Sequence, residues 1–535
     1  MRLRLALVAA VVAVAAMTSL PPAMAAGTTH HVSPLGSDAA YGDSGHPWAT
    51  LQHAVDSIEP GDTIVVHPGT YAGMRIERSG APGAWITLTA AIPGTVTIDR
   101  PGSANRHESN VELETWEDPG TVSYWVIDGL EVVNAPSWGI DVRGTPDAHS
   151  HDIVIRANDV HDNGLAAIRT GIFFAFTDEV RVTRNDSHHN GEHGIYLSNS
   201  GDGFRVDHNH LHDNGGCGLH MNGDLSQGGD GIISNGEITA NLIEGNGILG
   251  CAGINLDGVT DATIANNVIV ENHASGIAVF RGDGAVCSRD VTIVNNTVVQ
   301  AADGRWAVVM GGPGCRDVTL VDNVLLTRHP WRGVVEMPTP SLPGLVSGGN
   351  VVTGRFTTDG GDTVLDLPQW QVATAQDGDS LAASIDAVLL PGSYRHRPGG
   401  PAEDAGRPTG TVTDYDRVPR PSGAGWDSGA FETPVCAGRV ATIVGTNAAD
   451  ELRGTPGSDV IVGLAGGDVI RLGAGDDVAC GGRGPDRISG GSGGDRLHGE
   501  QGDDVLTGGT GTDVARGGVG ADQCVGVESV SGCEP

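Results

Sequence analysis

Three observations predict an all-β chain: a right-handed parallel β-helix behind a short N-terminal capping helix, followed by a parallel β-roll. First, an Asn recurs at 158, 185, 209, 241, 267, 296 and 323, and a second follows five residues later at 163, 190, 214, 246 and 272. Second, an Asp recurs every nine residues from Asp450 to Asp522. Third, short segments of alternating apolar residues surround the Asn turns, with weak helical periodicity.

Composition narrows the partners. The 535 residues carry a formal charge of −35, and all 31 basic residues are Arg, with no Lys. Nucleic-acid binding, which needs a cationic footprint, is therefore not expected. Arg2 and Arg4 precede an apolar run, Leu5 to Ala16, that is too short to span a bilayer, and Ala23-Met24-Ala25 fits a small-x-small cleavage site. Residues 1–25 thus read as a secretory signal, and the remainder as a secreted monomer with no membrane span. The eight Cys fit four disulfides in that compartment. Repeat register pairs Cys217 with Cys251, Cys287 with Cys315, Cys436 with Cys480 and Cys524 with Cys533; buried free thiols are the alternative.

The elements follow in order. Trp48, Leu51, Val55 and Ile58 share one helical face, and Pro60-Gly61 ends the helix before a first strand at Thr63 to His67. Such a helix would cover the open end of a stacked strand core. This opening resembles the start of many secreted right-handed β-helix proteins, including several polysaccharide lyase families. In the coils, intervals of 27, 24, 32 and 26 residues between Asn pairs place insertions between pairs, not within them. Asn tolerates left-handed backbone, and its amide can bond the neighbouring coil. Alternating segments at 153–155, 180–182, 204–206, 291–293 and 318–320 need a core on one side. The repeat is too long for a hexapeptide left-handed helix and carries no propeller signature. The coils blur after Leu326, and residues 414–432 resemble the closing segment of secreted β-helix proteins, so the β-helix domain is placed at 26–432.

Residues 433–535 form the second module. From Asp459 onward a Gly stands two residues before each periodic Asp, as in GGRGPDRIS at 481–489 and GGSGGDRLH at 490–498. This resembles the hemolysin-type, repeats-in-toxin calcium-binding nonapeptide. The resemblance implies Ca²⁺ as cofactor, held by Asp459, Asp468, Asp477, Asp486, Asp495, Asp504, Asp513 and Asp522, each meeting its equivalent across the roll, with folding coupled to the metal. Leu472 and Pro485 depart from the consensus.

The candidate site comes from aligning the strands GIDVRG, GIFFAF, GIYLSN, GLHMNG, GINLDG and GIAVFR, which begin at 139, 171, 194, 218, 253 and 276. Alternation sends Asp141, Phe173, Tyr196, His220, Asn255 and Ala278 outward in one column, and Arg143, Ala175, Ser198, Asn222, Asp257 and Phe280 in a second. Tyr196, His220, Asn222 and Asp257, with Arg281 at a strand end, are the candidate catalytic residues. Phe173, Asn255 and Phe280 are the candidate substrate contacts. Asp202, Asp224 and Asp261 form a candidate second metal site. The alternative is an ordinary solvated sheet face.

Resemblance to polysaccharide-active β-helices implies a polysaccharide substrate. A lyase would use Tyr196 and His220 as base and acid, with Arg281 neutralising a uronate carboxylate; lyases whose base is Lys are excluded by composition. The acidic surface works against a polyanionic substrate. A glycoside hydrolase would pair Asp257 with Asp224 or Asp141. An epimerase ranks lower because the Tyr-Gly-x-Asp-Pro-His-Glu motif of alginate epimerases is missing. A non-catalytic glycan-binding or surface protein is the reading from a different class. Finally, His161, His188 and His212, with His189, His208 and His210 nearby, form a column that reads either as a transition-metal site or as solvated turn histidines.

Overall fold

The computed structural model describes residues 27–114, 121–312 and 314–534. The expected signal segment, residues 1–25, lies outside the described residues. A strand at Thr29–Val32 precedes the helix and pairs in parallel with Thr63–Val66, so the first strand comes earlier than the sequence indicated. The helix runs Leu51–Ser57, and the Thr50 side chain caps it by accepting from the His53 N–H. Its buried face has a wider origin than one helix. Leu51 and Val55 come from the helix, Ile58 from its C-cap, and Trp48 from an extended residue bridged to Val32.

Behind this cap, three parallel sheets stack coil on coil around one continuous apolar core. The first runs from Thr29–Val32 to Val346–Gly348, the second from Met74–Ile76 to Phe356–Thr357, and the third from Gly69–Ala72 to Leu381–Ala382. The Asn turns hold the stack together. Asn185 Oδ1 accepts from both the backbone N–H and the side-chain amide of Asn158, at 3.1 and 3.0 Å. Asn185 Nδ2 in turn donates to the Ile155 carbonyl, at 2.9 Å, and to Asn209 Oδ1, at 3.0 Å. The pattern repeats to Asn350, one rung further than the sequence showed, and a second ladder joins Asn163 to Asn272. The left-handed backbone falls on the residue before each Asn of the first ladder, not on the Asn. Ala157, Arg184, His208, Ala240, Asn266, Asn295 and Asp322 all have φ between 52° and 57°. The bend sits there because the Asn must keep its backbone N–H aimed at the next coil.

Past Leu326 the coils shorten but continue. Val335–Glu336 and Phe356–Thr357 extend the second sheet, and the helix Leu367–Thr374 covers its end, with Trp370 stacked on Phe356 at 4.9 Å. Residues 388–431 then lie over the outer face of the third sheet. There Val388, Leu389, Ala402, Ala430 and Phe431 bury Val268, Val270, Val299, Val324 and Leu326, which a bare sheet would expose.

The C-terminal module is a roll of two parallel sheets around Ile461, Ile470, Leu472, Ile488, Leu497 and Leu506. Leu472, the departure from glycine, is buried in that core. Asn447 Nδ2 donates to Asp416 Oδ1 at 2.7 Å and ties the roll to the β-helix. All four disulfides pair as the register indicated: Cys217–Cys251, Cys287–Cys315, Cys436–Cys480 and Cys524–Cys533. No helix among the described residues is long and apolar enough to cross a membrane.

Candidate functional site

The second sheet carries the two polar columns in the expected register. Asp141, Phe173, Tyr196, His220, Asn255 and Ala278 are successive partners, as are Arg143, Ala175, Ser198, Asn222, Asp257 and Phe280. At the centre the Tyr196 and His220 rings lie 4.6 Å apart, centroid to centroid. Asn222 Nδ2 donates to the Tyr196 hydroxyl at 3.3 Å, and the Asn255 amide meets His220 Nδ1 at 2.7 Å. Asn255 therefore sets the His220 tautomer. With its N–H₂ toward Nδ1 the ring carries its proton on Nε2; turning the amide over leaves Nε2 as a free lone pair.

His193, which the column alignment missed, completes the cluster. Its ring is 4.6 Å from His220 and 5.2 Å from Tyr196. Its Nδ1 accepts from the Cys217 N–H at 2.9 Å, and its Nε2 faces Glu192 at 3.6 Å. Burial pushes His220 down to about 4, and burial together with the His220 charge holds His193 well below the usual imidazole range. Burial also raises the Tyr196 phenol and the Glu192 carboxyl. At neutral pH the centre thus presents two neutral imidazoles and a protonated phenol, the states a general base and a general acid need.

A groove of about 810 Å³ opens beside this cluster. It begins at Glu192, His193 and Asn255, passes Phe280, and reaches Arg305, Trp306, Trp331 and Arg332. The Arg332 guanidinium lies 4.7 Å over the Trp331 ring, which is more than half exposed. Arg305, Trp306, Trp331 and Arg332 stand in the later coils and their connecting loops, outside the aligned columns, so only the Arg and Trp composition of residues 305–332 hinted at them.

Other predicted residues sit in different surroundings. The Asp257 carboxylate accepts the backbone N–H groups of Gly282, Asp283 and Gly284 at 2.8, 2.7 and 3.2 Å, and so anchors the loop after the next strand. Arg281 Nε donates to the Gly284 carbonyl of that loop at 3.2 Å. Phe173 is buried between Trp138 and Tyr196, both at 5.3 Å, and supports the Tyr196 ring from below. Asp141 binds the Arg143 guanidinium at 2.8 Å, and burial pushes its carboxyl up to about 6. Asp224 caps the short 3₁₀ turn Leu225–Gln227, Asp202 accepts from Ser234 Oγ, and Asp261 is exposed in a strand of the first sheet. The structure does not gather these last three into one ligand group: among the described residues, the clusters with ligand atoms within 4.8 Å of one another include none of them. His161, His188 and His212 lie in strands of the third sheet, not in turns.

The periodic carboxylates of the roll stack on equivalents 18 residues away along one side, not across the roll. Asp468 N–H donates to Asp486 Oδ1 at 2.8 Å, and the pattern repeats through Asp522. Oδ2 of Asp468, Asp477, Asp486, Asp495, Asp504, Asp513 and Asp522 is buried without a hydrogen-bond partner. All but Asp477, whose counterpart position is Leu472, point at a place only glycine leaves empty: a Cβ on Gly481 would lie 2.3 Å from Asp486 Oδ2 and 2.9 Å from the Gly499 carbonyl. Burial pushes Asp468 up to about 6 and Asp486 up to about 7. Orphaned carboxylate oxygens beside convergent carbonyls are the hard-oxygen donors that Ca²⁺ takes, so the residues present fit that ion. Asp459 differs. Its Oδ2 accepts from Thr455 N–H and Oγ1, at 2.6 and 2.9 Å, as Asp450 does from Thr446.

Comparison with known proteins agrees with both architectures. Residues 30–304 match the family model "Pel9A-like, right handed beta helix region". Four overlapping copies of the RTX calcium-binding nonapeptide repeat, which binds Ca²⁺, match between 444 and 524. Among solved structures, the pectate lyase Pel9A is 18% identical, with a TM-score of 0.50 over 76% of this chain and 97% of that one. XylC in complex with xylose is 12% identical, with a TM-score of 0.49 over 76% of this chain and 99% of that one. At 18% identity the likeness to Pel9A speaks for the fold. No curated protein matches the chain.

Proposed function

The chain belongs to the Pel9A-like right-handed β-helix family, and from that premise we propose that it is a secreted, monomeric polysaccharide lyase whose 26–432 domain cleaves a uronate-containing glycan and whose 433–535 module folds on Ca²⁺. The observation that carries this reading is the pair of proton carriers, Tyr196 and His220, fixed side by side by Asn222 and Asn255 and packed on His193, which with Asn255 lines a groove that also holds Arg305, Trp306, Trp331 and Arg332. In β-elimination one group removes the proton beside the uronate carboxylate and another protonates the departing 4-oxygen. His220 takes the proton at Nε2 when the Asn255 amide, whose Nδ2 meets Nδ1 at 2.7 Å, turns over so that its oxygen accepts from Nδ1–H. Tyr196, kept protonated by burial, supplies one to the leaving oxygen. Arg305 and Arg332 are better placed than Arg281 to receive the uronate carboxylate, since both line the groove, and Trp306 and Trp331 offer faces for sugar rings. Two local arginines also answer the objection that the surface as a whole is acidic. The hydrolase reading loses support because Asp257 already accepts three backbone N–H groups and Asp141 is paired with Arg143.

The test is release of unsaturated uronate, followed by ultraviolet absorbance, across a panel of polyuronates and neutral glycans in excess Ca²⁺. His220→Gln and Tyr196→Phe are each expected to lower kcat about 10²–10⁴-fold with the fold intact. The base must be neutral, and the folded His220 titrates near 4, below the ordinary imidazole value. Accordingly kcat/KM should stay level through mildly acidic pH and fall only as pH drops through about 4. New reducing ends without unsaturated product would replace the lyase by a hydrolase, and no cleavage of any glycan would leave a binding protein.

A further inference from the structure

We propose that the third sheet carries a transition-metal site, with Asp186, His210 and His212, none of which lines the groove, binding a borderline divalent cation such as Zn²⁺. Asp186 and His210 are register partners on neighbouring strands, and His212 follows on the same face two residues along. Asp186 Oδ1 is buried and meets no hydrogen bond of good geometry. Two imidazole nitrogens converge on it instead, His212 Nε2 at 3.1 Å and His210 Nδ1 at 3.6 Å, and all three ligand atoms lie within 4.8 Å of one another. Zn–N and Zn–O bonds of about 2.0–2.1 Å in a tetrahedron put neighbouring ligand atoms about 3.3 Å apart, so these separations are close to the edges of an occupied site.

The outer ring of carboxylates points the same way. The nitrogen of each histidine that does not face Asp186 meets a further acid: His210 Nε2 contacts Glu244 at 2.9 Å, and His212 Nδ1 contacts Asp213 at 2.9 Å. Metal-ligating imidazoles characteristically pass their second nitrogen to a carboxylate, which fixes the ring and raises its basicity. Two imidazoles and one carboxylate leave a fourth position on the solvent side, where the Asp186 side chain is nearly half exposed. The bound ion would bridge two consecutive coils. The other arrangement of the same groups is a metal-free ladder of His–Asp ion pairs, in which protons take the place of the cation.

The experiment titrates the purified full chain with Zn²⁺ by calorimetry near neutral pH, in Ca²⁺ sufficient to saturate the roll. Co²⁺ replaces Zn²⁺ in a parallel sample to report tetrahedral ligation by its visible absorption. One zinc site with release of protons is expected. It should vanish in His212→Ala and in the near-isosteric Asp186→Asn, weaken about 10–100-fold in Glu244→Gln, and persist in His161→Ala. Circular dichroism checks that each variant is folded. Absence of stoichiometric Zn²⁺ binding in the wild-type chain overturns the site, as does binding that survives Asp186→Asn or disappears with His161→Ala.

Discussion

The β-helix and the β-roll solve one problem with two side chains that differ by a single group. In both, a backbone N–H of one coil donates to Oδ1 of the equivalent residue in the next: Asn158 to Asn185 in the helix, Asp468 to Asp486 in the roll. The second side-chain atom separates them. Asn carries Nδ2, which donates to a carbonyl of the preceding coil and to the next Asn, so the ladder closes on itself. Asp carries Oδ2, which can only accept; in seven turns it is buried with nothing to receive, and in six of them it lies beside a carbonyl oxygen. An amide ladder is complete as protein, whereas a carboxylate ladder is complete only with a cation.

The largest effect that can break this comparison is calcium removal. A chelator is expected to unfold the roll and leave the β-helix in place, giving two separated transitions by circular dichroism and limited proteolysis between 433 and 535; joint loss of both regions would show that the helix depends on the roll. Next comes Asn209→Asp, which turns a helix rung into a roll rung. The carboxylate would face the Val182 carbonyl and Asn241 Oδ1, both now receiving Nδ2 at 2.8 and 3.0 Å. A cost of about 3–5 kcal/mol in denaturant unfolding is expected, as for an uncompensated buried charge, and Ca²⁺ should not restore it. The smallest effect is expected from Thr455→Ala, which strips one donor from Asp459. About 1 kcal/mol of roll stability should be lost, seen most clearly at sub-saturating Ca²⁺, where the first turns matter most.

Periodicity made most of the fold legible. The Asn and Asp intervals carry coil register, and register delivered the two polar columns and all four disulfide pairs. The sequence was silent where side chains leave the repeat. Arg305, Trp331 and Arg332 enter the groove from the later coils and their loops, whose paths no period encodes. His193 stood one residue outside the aligned strand, yet packs against both central rings. Asp257 looked free in its column, and only the loop at 282–284 shows that its carboxylate is already engaged. The blurred region after Leu326 hid strands of two or three residues, too short to display alternation.

Thr446 and Thr455 give the roll an asymmetry in time as well as in space. Their carboxylates, Asp450 and Asp459, are satisfied without an ion, and the Cys436–Cys480 link closes the chain around the same turns. In a quasi-one-dimensional stack the first turn is the slow event and each later one adds to a finished neighbour. A metal-independent pair of turns at one end should therefore favour nucleation there, with later turns closing on their ions toward the C-terminus; Ca²⁺-triggered folding should accordingly slow in a Thr446→Ala, Thr455→Ala double variant.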